Sequence, residues 1–346
     1  MRKHKGVVML GLATALFAAV LVAVSVGPIK ISIPVILKMM LYKLGIYNNT
    51  TGWQTAQELI VFHVRLPRVL GGALVGAALS TAGVLFQGLF RNPMADPYII
   101  GTAAGAAFGA TLAMLLPLSL VFYGFGLVPI AAFLGALGSA VIVYRLARFG
   151  GKTPIISMLL AGSVVSSFLV AMVMLLLTMS DRLGLRIHQV LAFLMGGISV
   201  TYWQQIAVIT PLVFIGIITA QFFAGHLNAF SIGEEGAAYL GIDVEREKII
   251  ILGIGSLLTA CAVSLGGLIG FVGLIMPHAM RLILGPDHRL LLPASALAGA
   301  FFLVIADLLA RTLLSPAEIP VGVLTALIGA PFFIYLLRRS RREYAF

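Results

Sequence analysis

Between Lys248 and Arg281 the chain runs 32 residues without a charged side chain. One straight helix of that length would be about 48 Å long, while the hydrocarbon core of a bilayer is about 30 Å thick. The run also holds Gly266, Gly267, Gly270, Gly273 and Pro277, poor residues for one continuous helix. It reads as two short spans joined by a glycine hairpin. That makes the number of membrane crossings even, and the distribution of positive charge asks for an even number.

Of the 346 residues, 60% are hydrophobic and 10% charged, with a mean hydropathy of +1.09. This is the balance of an all-α, polytopic membrane protein; a transmembrane barrel would show short alternating segments instead. The net charge of +11 fits basic residues that flank spans as anchors, and no nucleic-acid partner is expected. The single Cys261 can form no intrachain disulfide. Arg2, Lys3 and Lys5 precede an apolar stretch from Gly6 to Ile29. That stretch exceeds the roughly 7–15 residues of a signal-peptide core, so a retained first span is expected.

The charge-free runs predict ten spans in a single domain over 1–346: about 7–27, 66–89, 97–116, 127–147, 153–179, 203–224, 249–265, 268–284, 290–310 and 320–337. The stretch Pro117 to Pro129, with Gly124 and Gly126, divides spans three and four. Segment 187–200 is apolar but too short to cross, so a re-entrant or interfacial helix is expected there. With both termini cytoplasmic, eight of the 23 Lys and Arg residues fall outside: Lys30, Lys38, Lys43, Arg65, Arg68, Arg182, Arg186 and Arg311. The other fifteen fall inside, among them Arg338, Arg339, Arg341 and Arg342. This obeys the positive-inside rule. The 38 glycines cluster within spans, where small residues let helices approach closely. Gly101, Gly105 and Gly109, at intervals of four, fit either tight packing or a dimer face.

Chemistry is sparse. A secondary transporter usually keeps an ionisable residue inside the bilayer, but all twelve carboxylates lie outside or near the ends of the spans, Asp307 being the deepest. Gly150-Gly151-Lys152-Thr153 resembles the end of a phosphate-binding loop, yet Leu146 stands where the leading glycine belongs and no strand precedes it. Any ATP hydrolysis, with its ATP and Mg, would have to come from another chain, and no cofactor is expected in this one. The six histidines show no metal-ligand spacing and no metal site is expected.

The polar loop 226–248 is more informative. Ser231 followed by Glu234 reads as a capping box, Glu235 adds a second acid in the first turn, and Gly241 suits the left-handed end of a helix. The expected result is a cytoplasmic helix of two to three turns, either a solvated connector or a rigid knob that a motor grips. On the outer side, Arg65 and Arg68 flank Leu66-Pro67, and Arg311 follows span nine. They fit headgroup anchors or a docking surface for an acidic soluble partner.

Longer motifs now add up. Arg65-Leu-Pro-Arg68, Gln87-Gly-Leu-Phe-Arg-Asn92-Pro93-Met94-Ala-Asp96-Pro97 and Leu160-Ala-Gly162 are three of them. Met195-Gly196-Gly197, Gly233-Glu234-Glu235 to Leu240-Gly241, Gly270-Phe-Val-Gly-Leu-Ile-Met-Pro-His278 and Glu318-Ile-Pro-Val-Gly322 are others. Together, over about residues 60 to 337, they resemble the permease subunit of iron-chelate and cobalamin-type ABC importers, the FecCD-like permeases. Gly236 departs from the alanine or threonine more usual there.

The resemblance implies a homodimeric core of ten spans per subunit in a bacterial or archaeal cytoplasmic membrane. It also implies two cytoplasmic ATPase subunits and a periplasmic or lipid-anchored substrate-binding protein. Ser231, Gly233, Glu234, Glu235, Ala238, Tyr239, Leu240 and Gly241 match the ATPase-coupling loop, and Arg65, Arg68 and Arg311 match the binding-protein docking positions. Asn92, Pro93 and Met94 look close to the inner gate. Span five, with Ser163, Ser166 and Ser167, and the short helix ending at Met195 and Gly196 look path-lining. The serines fit equally a simple bond back to their own helix. The expected function is passage of an iron chelate, haem or cobalamin by alternating access, with no catalytic residue in this chain. An ion-coupled secondary transporter is the competing reading.

Overall fold

A computed structural model describes residues 2–47, 52–116, 120–181 and 187–340. Pro117, Arg182, Arg186, Arg341 and Arg342 lie outside the described residues.

The described residues are mainly helical. Helix α1 (Arg2–Ser25) is followed by α2 (Ile33–Lys43) and α3 (Thr55–Leu59). A π-turn segment, Ile60–Arg65, joins α3 without a break to α4 (Leu66–Leu89). Leu66 N–H bonds back to the Val61 carbonyl, a register shift just before Pro67, which has no N–H to give. Next come α5 (Thr102–Leu115), a small hairpin of β1 (Val121–Phe122) and β2 (Phe125–Gly126), α6 (Leu127–Ala147), α7 (Ile155–Asp181), α8 (Ile187–Met195) and α9 (Trp203–Phe222). The last elements are α10 (Ala224–Phe230), α11 (Glu234–Tyr239), α12 (Val244–Gly266), α13 (Val272–Leu284), α14 (His288–Thr312) and α15 (Val321–Ser340). The hairpin turns through Tyr123 (φ +49°) and Gly124 (φ +81°), two left-handed residues as its tight turn requires.

Among the described residues, seven helices are long and apolar enough to cross a membrane, and α5, α13 and residues 321–334 of α15 are shorter apolar helices. Spans were expected to begin at 97 and 268, but α5 starts at Thr102 and α13 at Val272. Backbone geometry is the reason. Gly101 (φ +82°), Gly267 (φ +60°) and Phe271 (φ +70°) hold left-handed conformations that no helix continues through. The polar groups so freed are satisfied inside the protein, which is what apolar surroundings demand. Tyr98 Oη donates to the Ile269 carbonyl at 3.1 Å and accepts from Ile269 N–H at 3.2 Å. The Asp96 carboxylate accepts from Tyr98 N–H at 2.8 Å.

Helix α4 forms the axis, and α9, α12, α13 and α14 all pack on it. The expected hairpin is thus a break: α12 and α13 each lie against α4. Glycine makes the approach possible. A Cβ on Gly76 would sit 2.1 Å from the Gly299 carbonyl oxygen, and one on Gly83 only 1.8 Å from that of Gly273. Phe86, Leu79, Leu85 and Leu258 fill the remaining volume. Gly105 and Gly109 meet Gly135 and Ala131 of α6 in the same way. Their stripe is spent on the α5–α6 contact within the chain, which removes the dimer-face reading.

Candidate functional site

One end of the bundle carries a projecting knob. Gly233 (φ +116°) precedes α11 and Gly241 (φ +82°) follows it, so the chain enters and leaves in conformations that favour glycine. The helix has six residues, shorter than the expected two to three turns. The expected capping box is absent as well, because Gly233 and not Ser231 occupies the cap position; Ser231 Oγ donates 2.6 Å to the Asn228 carbonyl at the end of α10. Glu234 is drawn elsewhere. Lys248, only 2% exposed, donates to Glu234 at 2.7 Å, to Glu245 at 3.0 Å and to the Thr153 carbonyl at 3.0 Å. This one ammonium ties α11, the first turn of α12 and the turn between α6 and α7.

On the free side Tyr239 is 92% exposed and Leu240 64%, next to exposed Ser231, Ile232, Glu235 and Ala238. Buried Ala237 anchors the opposite side. A Cβ on Gly236 would come within 3.0 Å of the exposed Ile232 side chain, which would have to give by a few tenths of an ångström.

Asn92, Pro93 and Met94 are exposed at the same end, just beyond α4, and Asn92 Oδ1 accepts from Met94 N–H at 2.9 Å. Arg91 lines a narrow cleft with Glu234 and Lys248. Gly150 and Gly151 are the two left-handed residues of a tight turn closed by Phe149 and Lys152. The glycines there serve a turn rather than a phosphate cradle.

The opposite end carries the arginines. Arg65 is 5% exposed and donates to the Val24 carbonyl at 2.9 Å, the Ser25 carbonyl at 3.1 Å and the Ile29 carbonyl. It is an internal tie to the end of α1, which corrects its expected place on an open docking surface. Arg68 pairs with Asp307 at 3.0 Å and with Glu318 at 2.9 Å, and Arg311 pairs with Asp307 at 2.9 Å. Asp307, 1% exposed, thus sits between two guanidiniums, as a buried carboxylate must. These charges are matched within the chain, and Glu318 is the exposed member. Nearby, Lys43 bonds Glu58 at 2.8 Å, and this hydrogen bond lowers the Glu58 pKa.

A cavity of about 500 Å³ opens beside this cluster, bordered by Arg68, Gln189, Gly196, Ser199, Ser264 and Glu318. Gly196 (φ +69°) is pressed against the Leu268 carbonyl, and its own carbonyl accepts from Gly322 N–H at 3.3 Å. The ends of α8, α12 and α15 therefore meet here. Met195 is exposed but does not line the cavity. Neither do the serines of α7: Ser163 and Ser167 are exposed, Ser166 is half-buried. None of the three makes a hydrogen bond among the described residues, so the back-bonding reading fails. The structure thus brings Arg68 and Gly196 together and leaves Asn92–Met94 and the serines apart from them.

Lys248, Tyr98, Asp307 and Glu318 went unassigned as structural partners in the sequence. The Glu245–Lys248 spacing of three and the Asp307–Arg311 spacing of four were the local signals; the other partners are distant along the chain.

Residues 15–339 match the model of the FecCD transport family. The cobalamin import system permease protein BtuC of Halobacterium salinarum is 48% identical over 285 residues, 82% of this chain and 74% of that protein. The hemin transport system permease protein HmuU of Yersinia pestis is 39% identical over 301 residues, 85% of this chain and 88% of that one. Among solved structures, an inward-facing conformation of a metal-chelate type ABC transporter superposes with a TM-score of 0.80 at 30% identity. It covers 96% of this chain and 98% of that one.

Proposed function

The chain belongs to the FecCD transport family of ABC importer permeases, and from that premise we propose that it carries an iron chelate, haem or cobalamin inward by alternating access, as a homodimer of ten-span subunits in a cytoplasmic membrane. The relatives named for cobalamin and hemin support that substrate class. Both termini and the α11 knob then face the cytosol, and the Arg68–Asp307 cluster faces outward. ATP and Mg belong to a partner ATPase, and a periplasmic or lipid-anchored binding protein delivers the cargo.

One observation carries the coupling role. Tyr239 and Leu240 stand exposed on a short helix whose base is fixed by Lys248. An exposed apolar pair on a fixed support suits a docking surface, and the ATPase is its occupant in this reading. Glu235, Ser231 and Ala238 border the same contact, with Gly233 and Gly241 as its hinges. Asn92, Pro93 and Met94 form the inner mouth; Ser163, Ser166, Ser167, Met195 and Gly196 border the path between the two copies. Arg68, Arg311 and Glu318 receive the binding protein, whose acids compete with Glu318 for Arg68.

The test is reconstitution in vesicles with the ATPase and binding protein, together with photo-crosslinking from position 239. ATP-dependent uptake and a crosslink to the ATPase are expected. Uptake driven by a proton or sodium gradient without ATPase would favour the secondary-transporter reading instead. A crosslink only to the binding protein would invert the assignment of sides.

A further inference from the structure

An apolar groove of about 170 Å³ runs between α6 and α12, with Leu137, Val141 and Tyr144 on one wall, Ile249 and Gly253 on the other, and Met158 of α7 at its floor. It is separate from the coupling knob and from the Arg68 cavity. Val141 and Ile249 are exposed, so the groove opens sideways toward lipid. Gly253 meets nothing within 4 Å where a Cβ would be, and that missing side chain leaves the slot open.

Both walls end in an arginine at helical spacing. Arg148 lies four residues beyond Tyr144, and Arg246 lies three residues before Ile249, each on the face of its groove residue. Both are exposed, and neither pairs with a carboxylate among the described residues. The nearby acids Glu245 and Glu247 are engaged by Lys248 and His226, and Asp243 caps α12. The Lys248–Thr153 bond draws the turn after Arg148 onto the first turn of α12. Exposed Phe149 and Lys152 lie in that turn, an aromatic and a cation of the kind found at a membrane interface. From Leu137 to Tyr144 the groove is about 10 Å long, a length for part of one acyl chain.

We propose that this groove is a binding site for an anionic phospholipid of the cytoplasmic leaflet, its acyl chain between α6 and α12 and its phosphate between Arg148 and Arg246. The site rests on the sidedness assigned above but not on the transport reading. Each arginine near an anionic headgroup contributes about fivefold in affinity.

The test uses the assembled transporter in detergent, titrated with phosphatidylglycerol or phosphatidylcholine and read by native mass spectrometry. Wild type should prefer phosphatidylglycerol by roughly 25-fold. The exposed double substitution Arg148→Gln with Arg246→Gln should remove most of that preference, and Gly253→Leu should weaken both lipids alike. Equal affinity for the two lipids in wild type, or a preference that the double variant leaves unchanged, overturns the proposal. So does a groove that takes up no lipid because a protein subunit covers it. Uptake activity does not enter the readout, so failure of the transport reading would leave this result standing.

Discussion

Replacing Lys248 with methionine keeps the volume of the side chain and removes its charge. Three partners then lose their donor. The Thr153 carbonyl is left without a partner, at about 1–3 kcal/mol. Glu234 and Glu245 are partly exposed, so water takes back much of their loss, and the two pairs together are worth about 1 kcal/mol after screening. The expected cost to the whole fold is about 2–4 kcal/mol, but of these contacts only the Glu234 pair, about 0.5–1 kcal/mol, holds α11 to the body of the protein. At 1.4 kcal/mol per tenfold, local opening of α11 becomes roughly two- to fivefold more frequent. Hydrogen exchange reads such openings directly. The amides of Ala237 to Gly241 should exchange faster by that factor in K248M, while the α4 core stays protected. ATP hydrolysis should continue with less cargo moved per ATP. Glu234→Gln, which keeps an acceptor for the ammonium, should fall between the two. If K248M exchanged at the wild-type rate over 237–241, the idea that this ammonium fixes the knob would be wrong.

Gly83→Ala places a methyl against the Gly273 carbonyl and should cost about 1–3 kcal/mol in thermal or denaturant unfolding; Gly138→Ala, with open space around it, should be neutral or slightly stabilising. Tyr98→Phe leaves both backbone groups of Ile269 without their partner, with an expected loss of about 1–3 kcal/mol and faster exchange at residues 267–271. Asp307→Ala leaves the largely buried Arg311 without a carboxylate, while Arg68 keeps Glu318, and should destabilise by about 3–5 kcal/mol, read as a lower unfolding temperature. Asp287 caps α14, and the hydrogen bond from Asn228 lowers its pKa below the usual 3.8. Its contribution is therefore present above about pH 4 and lost as pH falls through the folded-state value. The unfolding gap between wild type and Asp287→Asn should narrow from pH 7 to pH 3, and a constant gap would count against the cap.

Helix positions were legible wherever a charge or a proline punctuates an apolar run. Helices occupy 66–89 and 127–147, the ranges marked by the sequence. Legibility failed where a helix stops for reasons of backbone geometry. Nothing in the apolar letters around Phe271 announces its left-handed conformation or the Tyr98 clip that stabilises the neighbouring loop. The knob was legible as an element because two acids, Glu234 and Glu235, mark a first turn and Gly241 an end. Its cap was misread, because the helix begins three residues after Ser231, with Gly233 at the cap position. Arg65, Arg68 and Arg311 were visible as a cluster, but charge counting cannot tell a free guanidinium from one enclosed by carbonyls. Lys248 was counted as an anchor for topology, and its role depends on Thr153, 95 positions away.

The contacts of α4 bear on how such a protein moves. At Gly76 and Gly83 it meets its neighbours main chain to main chain, with no rotamers between them to rearrange. A joint of that kind has no bearing surface to slide on. Helices α4, α13 and α14 therefore form one keel, and a force applied to any of them would be carried by all three. Helix α7, little of which is buried, lies outside that keel and packs chiefly on α5 and α6.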